Sequence, residues 1–221
     1  MVRRIEQGRT GVNPSVEVLE ALCEVLRLND AEINYVFNLV EKKLPPELNH
    51  IPDISGDFVR LLNFQNPYPA FIMDRNFIIQ KTNRAFVELY GKLDSKSKIQ
   101  RNLLWQTFKN PVLRDLFSDW NEYAAKRVAQ FRQLYSENPN SSYLYKIYEM
   151  IRDEPGFSQP WEQLDVLDMQ TLRLLLKKPR VGELYLTETT LISSTKTHFL
   201  VIQSAADQVT EEKLRQLCQN G

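Results

Sequence analysis

Glycine is scarce in this chain, with 7 among 221 residues. Phosphate-cradling turns need closely spaced glycines whose backbone N–H groups face the ligand, and no such cluster is present. Nor is there a G-x-S-x-G elbow or an H-E-x-x-H pair, so the common nucleotide-dependent, hydrolase and metalloprotease classes find no support and the chain is not expected to be an enzyme. The two histidines, His50 and His198, and the two cysteines, Cys23 and Cys218, lie far apart with no Cys-x-x-Cys; neither a zinc site nor a cofactor is expected. Cys23 sits among Leu19, Leu22 and Leu26 and reads as a small buried hydrophobe, Cys218 as a free thiol. Charge of one sign is not in excess either: 28 Lys+Arg balance 28 Asp+Glu. A self-standing nucleic-acid binder carries a basic surplus to neutralise phosphates, so most of this chain is expected to serve another purpose. No apolar run approaches the ~20 residues that span a bilayer. The opening MVRRIEQGR lacks an apolar signal core, and the expected location is the cytoplasm.

What is present is an ordinary globular composition, 43% hydrophobic and 25% charged. At about 150 residues per domain, the length suits one large domain or a domain plus a smaller piece. Ser15 is placed to cap a helix from Val16 to about Leu28, whose polar positions Glu17, Glu20, Glu24 and Arg27 form one narrow stripe. Asp30 is read as the cap of a second helix to about Lys43, with Ile33, Val36, Phe37 and Val40 on one face. These two helices form a first segment, residues 1–43. A helix so widely apolar needs several neighbours, which two helices alone do not supply; an incomplete bundle is the expectation, against packing on the later domain or a partner chain.

The proline-containing stretch 44–55 reads as a linker. Residues 56–206 are read as one domain. A short helix ending near Leu62 precedes a hairpin of Ala70–Met73 and Phe77–Gln80. Asn83 and Gly91 bracket another short helix, and the middle is helical and aromatic. One long helix is expected from Asn110-Pro111 to about Ser136, then a helix carrying Leu144, Ile147, Tyr148 and Ile151. From Thr171 the period changes to two, giving three strands joined by turns at 178–182 and 193–197. Residues 207–221 are expected to be a frayed helical tail. Five short strands with helices gathered between them make an α+β domain. Hairpin and meander together form one five-stranded antiparallel sheet covered on one face by an enlarged set of helices, an order that resembles a PAS-like fold.

Several stretches, taken in order, resemble a known family. IEQGRTGVNPSVEVLEALCEVLRLNDAEINYVFNLV resembles the last part of a phage-repressor-type (XRE-type) helix-turn-helix domain. NRAF, RNLLWQTFKNPVLRDLFSDWNEYAAKRVAQFR, FSQPWEQLDV and KPRVGELYLTETTL are similar to the ligand-binding half of MmyB-like transcription regulators. The chain departs from the family pattern at Leu164 and at Lys178, where the family carries histidines. The resemblance implies a bacterial transcription regulator in which a PAS-like domain senses a small apolar ligand such as a fatty acid. It also implies that residues 1–43 are the C-terminal remnant of a DNA-binding domain whose first helices, with the front of the recognition helix, are missing.

Under that resemblance Arg3, Arg4, Arg9, Thr10 and Asn13, with Ser15, are the DNA-contact candidates, since the end of a recognition helix and the following turn lie against phosphates. The competing reading is a solvated terminus, with weak or no DNA binding by this chain. The ligand candidates are the aromatic set Trp105, Phe108, Phe117, Trp120, Phe131, Tyr135, Tyr148 and Trp161, together with Arg127, whose guanidinium is suited to a bidentate grip on a carboxylate. The competing reading is that aromatics at helical spacing are simply core. A homodimerising interaction module without a ligand is the alternative to the sensor. Asp115, Asp119 and Glu122 share a helix face, but alternate with Arg114 and Lys126 and read as a solvated surface rather than as paired catalytic acids.

Overall fold

The computed structural model describes residues 14–40, 53–93, 96–139, 141–163 and 172–219. The chain divides into two compact units, Met1–Pro52 and Asp53–Gly221.

In the first unit, helices α1 (Val16–Val25) and α2 (Asp30–Leu39) enclose a small core of Leu19, Cys23 and Phe37, flanked by Ile33, Val36 and Val40. The apolar face assigned to α2 is therefore the packed one, and Cys23 is buried. Three local expectations are corrected. Ser15 occupies the N-cap position of α1, but its side chain makes no capping hydrogen bond, and the helix stops at Val25. Arg27 takes a left-handed φ of 51° and the Leu28 N–H reaches back to the Cys23 carbonyl at 3.0 Å, which closes the helix. The cap of α2 is Asn29 rather than Asp30. Asn29 Oδ1 accepts from the Glu32 N–H at 3.1 Å while Glu32 Oε2 accepts from the Asn29 N–H at 2.8 Å, a reciprocal capping box. The expected continuation of α2 to Lys43 and the 44–52 part of the linker lie outside the described residues.

The second unit is built on one antiparallel sheet of β1 (Ala70–Asp74), β2 (Ile79–Thr82), β3 (Leu172–Lys178), β4 (Gly182–Ile192) and β5 (His198–Ala205), in the order β2-β1-β5-β4-β3. The meander pairs Leu174 with Leu186 and Leu176 with Leu184, so one face of β3 and β4 is lined with leucine. The last strand, β5, then inserts between β4 and β1. The sheet is α+β and PAS-like, as the order of elements implied. In the hairpin, β2 begins at Ile79 and not at Phe77. Asp74 Oδ1 accepts from the N–H groups of Asn76 and Ile78 at 2.8 and 3.1 Å, and buried Phe77 takes a φ of 62°. The carboxylate thus holds a turn of four residues, 75–78, where three were expected.

Seven helices complete the described part of this unit before the tail. Helix α3 (Gly56–Phe64), capped by Ser55, sets Phe58 and Leu62 against Ala70, Ile72 and Leu200. The alternating residues Phe71 and Met73 face the main core. Helices therefore cover both faces of β1 and β5, where one face was expected. Helix α4 (Arg84–Tyr90) is capped by Asn83 and stopped by Gly91 at φ 88°, as the sequence indicated. Then follow α5 (Leu103–Lys109), α6 (Pro111–Leu116), α7 (Trp120–Glu137), α8 (Ser142–Ile151) and α9 (Ser158–Glu162).

The long helix expected from residue 110 to about 136 is in fact two. Phe117 is extended and bridges to Leu176, the Ser118 N–H donates to the Leu175 carbonyl at 3.0 Å, and Asp119 restarts the helix by accepting from the Glu122 N–H at 2.9 Å. The D-x-x-E spacing of Asp119 and Glu122 marks such a start. The expected frayed tail is an ordered helix, α10 (Gln208–Gln219), with Leu214 in the main core. Thr210 anchors it, its hydroxyl accepting from the Tyr185 N–H at 3.0 Å.

Candidate ligand site

The inner face of α7 carries Tyr123, Ala124, Arg127, Val128 and Phe131, all buried. Arg127 is the exception in chemistry: a guanidinium only 1% exposed inside an apolar core. Its Nη2 meets Glu188 Oε2 at 2.6 Å, and Glu188 is also 1% exposed. Its Nη1 donates to Gln130 Oε1 at 2.9 Å. Glu188 faces Gln203 across the β4–β5 ladder, and Gln203 Nε2 donates to the same carboxylate oxygen at 2.9 Å. Gln203 Oε1 in turn accepts from the Tyr90 hydroxyl at 2.6 Å. The guanidinium carbon lies 4.8 Å from the centre of the Tyr123 ring, which stacks on Phe117 at 3.7 Å.

The electrostatics follow from burial and pairing. Burial lowers the Arg127 pKa, but the Glu188 carboxylate and the Tyr123 side chain together outweigh it and hold the pKa above the usual arginine value. Burial pushes the Tyr90 and Tyr123 hydroxyls up, so both remain protonated, and Tyr90 is a donor to Gln203. One guanidinium atom is left over: the buried Arg127 Nε has no hydrogen-bond partner among the described residues. A buried donor without an acceptor is costly.

A cleft of about 440 Å³ opens beside this network. Phe86, Tyr90, Leu93, Trp105 and Leu113 supply its apolar wall, and Gln100, Gln106 and Asn110 its amides. Lys92 and Lys109 also line it, Lys109 being paired with Glu154. The cleft and the buried network share Tyr90, whose ring lines one and whose hydroxyl belongs to the other.

Of the aromatic candidates, Trp105 alone is among the residues lining this cleft. Phe108, Trp120, Phe131, Tyr135, Tyr148 and Trp161 join, through Phe157, into one connected ring cluster with neighbouring centroids 5.0 to 6.2 Å apart. Phe117 belongs to the Tyr123 stack. Arg127 stands at the centre, but the two nitrogens suited to a bidentate grip already hold Glu188 and Gln130. Sequence reasoning missed Glu188, Gln203, Gln130 and Tyr90. A signal existed for the first: Glu188 continues the inward series of Leu184 and Leu186 at a spacing of two, which places a charge in the core.

The other candidates are soon placed. Arg3, Arg4, Arg9, Thr10 and Asn13 lie outside the described residues, as do His50 and Leu164, and Ser15 is exposed. Glu122 pairs with Lys126 at 2.6 Å on the surface, and Arg114 lies 4.2 Å over the Trp120 ring. Lys178 donates from Nζ to the Leu89 carbonyl at 2.6 Å and so serves the C-terminal end of α4; burial lowers its pKa. No group of three or more His, Cys, Asp or Glu among the described residues is placed to hold a metal, and no described helix is long and apolar enough to cross a membrane.

Trp105 owes its place to Asn102, which is fully buried. Asn102 Oδ1 accepts from the Leu104 and Trp105 N–H groups at 3.0 and 3.1 Å, and its Nδ2 donates to the Asn76 carbonyl at 2.8 Å. Asn102→Ala removes a helix cap worth about 1 kcal/mol and strands the half-buried Asn76 carbonyl for about 1–2 more. A loss of about 2–3 kcal/mol is therefore expected in urea unfolding, with a shifted Trp105 emission; an unshifted spectrum and unchanged midpoint would remove Asn102 from this role.

No curated protein matches this chain. The family profile of the MmyB-like transcription regulator ligand binding domain matches residues 54–217, nearly the whole of the second unit. With its PAS-like sheet and cleft carried by the matched stretch, the chain belongs to the MmyB-like transcription regulators and contains their ligand-binding domain.

Proposed function

We propose that the second unit binds a small apolar, fatty-acid-like molecule and that its occupancy modulates DNA binding by the regulator, in the cytoplasm. The observation that carries this reading is the cleft of about 440 Å³, apolar on the Phe86–Trp105 side with a few convergent amides. That is the volume and lining typical of small-molecule sites. Residues 1–43 act as part of a helix-turn-helix domain, in which Arg3, Arg4, Arg9, Thr10 and Asn13 would lie against phosphates. Ligand transmits its signal only by binding one arrangement of units or chains better than another.

Native mass spectrometry of the purified chain is expected to show a co-purifying lipid-sized mass. Titration with medium-length acyl compounds should change Trp105 fluorescence, and Trp105→Phe should abolish that change while leaving the fold intact. A chain that carries no added mass, binds no acyl compound and runs as a stable dimer would instead favour the interaction module.

A further inference from the structure

Helix α4 supplies one side of the cleft. Phe86, Tyr90 and the stop residue Gly91 all line it, and the Phe86 and Tyr90 rings have their centres 4.8 Å apart. The C-terminal end of so short a helix needs support from outside. Its last carbonyls have no partners within the helix, and the negative end of its dipole favours a cation. The last turn of α4 contains no basic residue. Close packing does not fix the chain just beyond it either, since a Cβ added at Gly91 would meet nothing within 4 Å beyond its chain neighbours. The cation comes from the sheet. Lys178, the last residue of β3, donates from Nζ to the Leu89 carbonyl at 2.6 Å. That carbonyl belongs to the peptide group joining Leu89 to Tyr90. Tyr90 is therefore held at both ends, behind its backbone by Lys178 and at its hydroxyl by Gln203 at 2.6 Å.

We propose that Lys178 is a positioning residue for the cleft: by holding the Leu89 carbonyl it keeps the Phe86–Tyr90 wall in the arrangement that binds ligand. The inference rests on the apolar-ligand reading above and adds to it a residue that is not among those lining the cleft. Lys178 acts through the end of α4 and not by touching the ligand. Without its amine the Leu89 carbonyl loses its charged donor, and the turn that carries Tyr90 and Gly91 is held from one side only. Binding at full strength is then confined to the fraction of molecules with the wall in place. What the position requires is a donor and a positive charge at the end of a long stem. An apolar side chain of the same length fills the space without supplying either.

The test titrates the full chain with dodecanoic acid at neutral pH, below its aggregation limit, and reads Trp105 fluorescence. Lys178→Met keeps the unbranched stem and removes donor and charge. It is expected to weaken binding about tenfold, the loss that follows when about one molecule in ten holds the wall in place. Lys178→Arg keeps donor and charge and should restore most of the binding, which a role in packing alone does not predict. The wild type supplies a second measurement. The NMR signal of the Lys178 side-chain amine should shift as dodecanoic acid is added. That of Lys213 should not, since its Nζ donates at 2.8 Å to the carbonyl of Glu183, a residue outside the cleft lining. This comparison needs no variant and stands even where Lys178→Met fails to fold. Unchanged affinity in a folded Lys178→Met, a folded Lys178→Arg as weak as Lys178→Met, or a Lys178 signal unmoved at saturation overturns the inference and leaves the apolar-ligand reading standing. No binding of dodecanoic acid by the wild type overturns both.

Discussion

Glu188→Ala should destabilise the second unit by about 3–5 kcal/mol, because it leaves Arg127 charged, buried and unpaired. The partners that remain, Gln130 at 2.9 Å and the Tyr123 ring, do not supply a negative charge. Arg127→Ala should cost about as much in the opposite sense, stranding the carboxylate with only the Gln203 amide to answer it. Replacing both, as in Arg127→Met with Glu188→Leu, removes the desolvated charges together and should recover most of the loss. The double variant is thus the control for packing: recovery shows that the damage of the single variants is electrostatic. Urea unfolding followed by tryptophan emission reads this unit alone, since the chain's 3 tryptophans, Trp105, Trp120 and Trp161, all lie in it. Single variants that lose under 1 kcal/mol would mean that the pair is relaxed into water and not locked in the core.

The second large effect is expected at Phe131. This ring is completely buried and touches Phe77, Tyr135 and Trp161, with centroids at 6.4, 6.0 and 6.2 Å. Phe131→Ala should cost about 3–5 kcal/mol, the sum of lost transfer energy and the cavity left behind. For a domain of this size that lowers the midpoint of thermal unfolding by about 10 °C. The position lies on α7 between the sheet and the aromatic cluster, so neighbouring rings are held on several sides and collapse only partly into the gap. Phe131→Leu, which keeps most of the volume, should lose much less. Equal losses for the two variants would show that the site refills freely and that the ring cluster is not the rigid packing described.

The strand periodicity and the caps were readable because they are local. Leu172, Leu174 and Leu176 alternate within a few residues, and Asn83 and Gly91 announce both ends of one short helix. The helix break at Phe117 was not readable from the apolar stripe, which runs through it without a gap, and only the Asp119–Glu122 spacing hinted at a restart. What interrupts the helix is a partner 59 positions away in sequence, Leu176, to which Phe117 bridges. The same holds for the site. Arg127 could be singled out from its own helix, but its neutralisation by Glu188 depends on a sheet register that places a residue 61 positions distant against it. The aromatic set shows the converse failure: helical spacing identifies rings that face inward, and does not distinguish a ring that lines a cleft from one that fills the core. Trp105 differs from Phe131 through its neighbours, not through its periodicity.

The bridge at Phe117 has one more consequence. In the order β2-β1-β5-β4-β3, strand β3 is the last of the sheet, and a leucine-rich terminal strand offers open backbone groups to any other chain in extended form. The Phe117–Leu176 bridge and the Ser118 N–H bonded to the Leu175 carbonyl close off part of that rim from within the same molecule. The pause between α6 and α7 therefore acts as a guard against intermolecular β-pairing, and the aromatic-rich helical layer can be held over its sheet without leaving this stretch of rim as a template for aggregation.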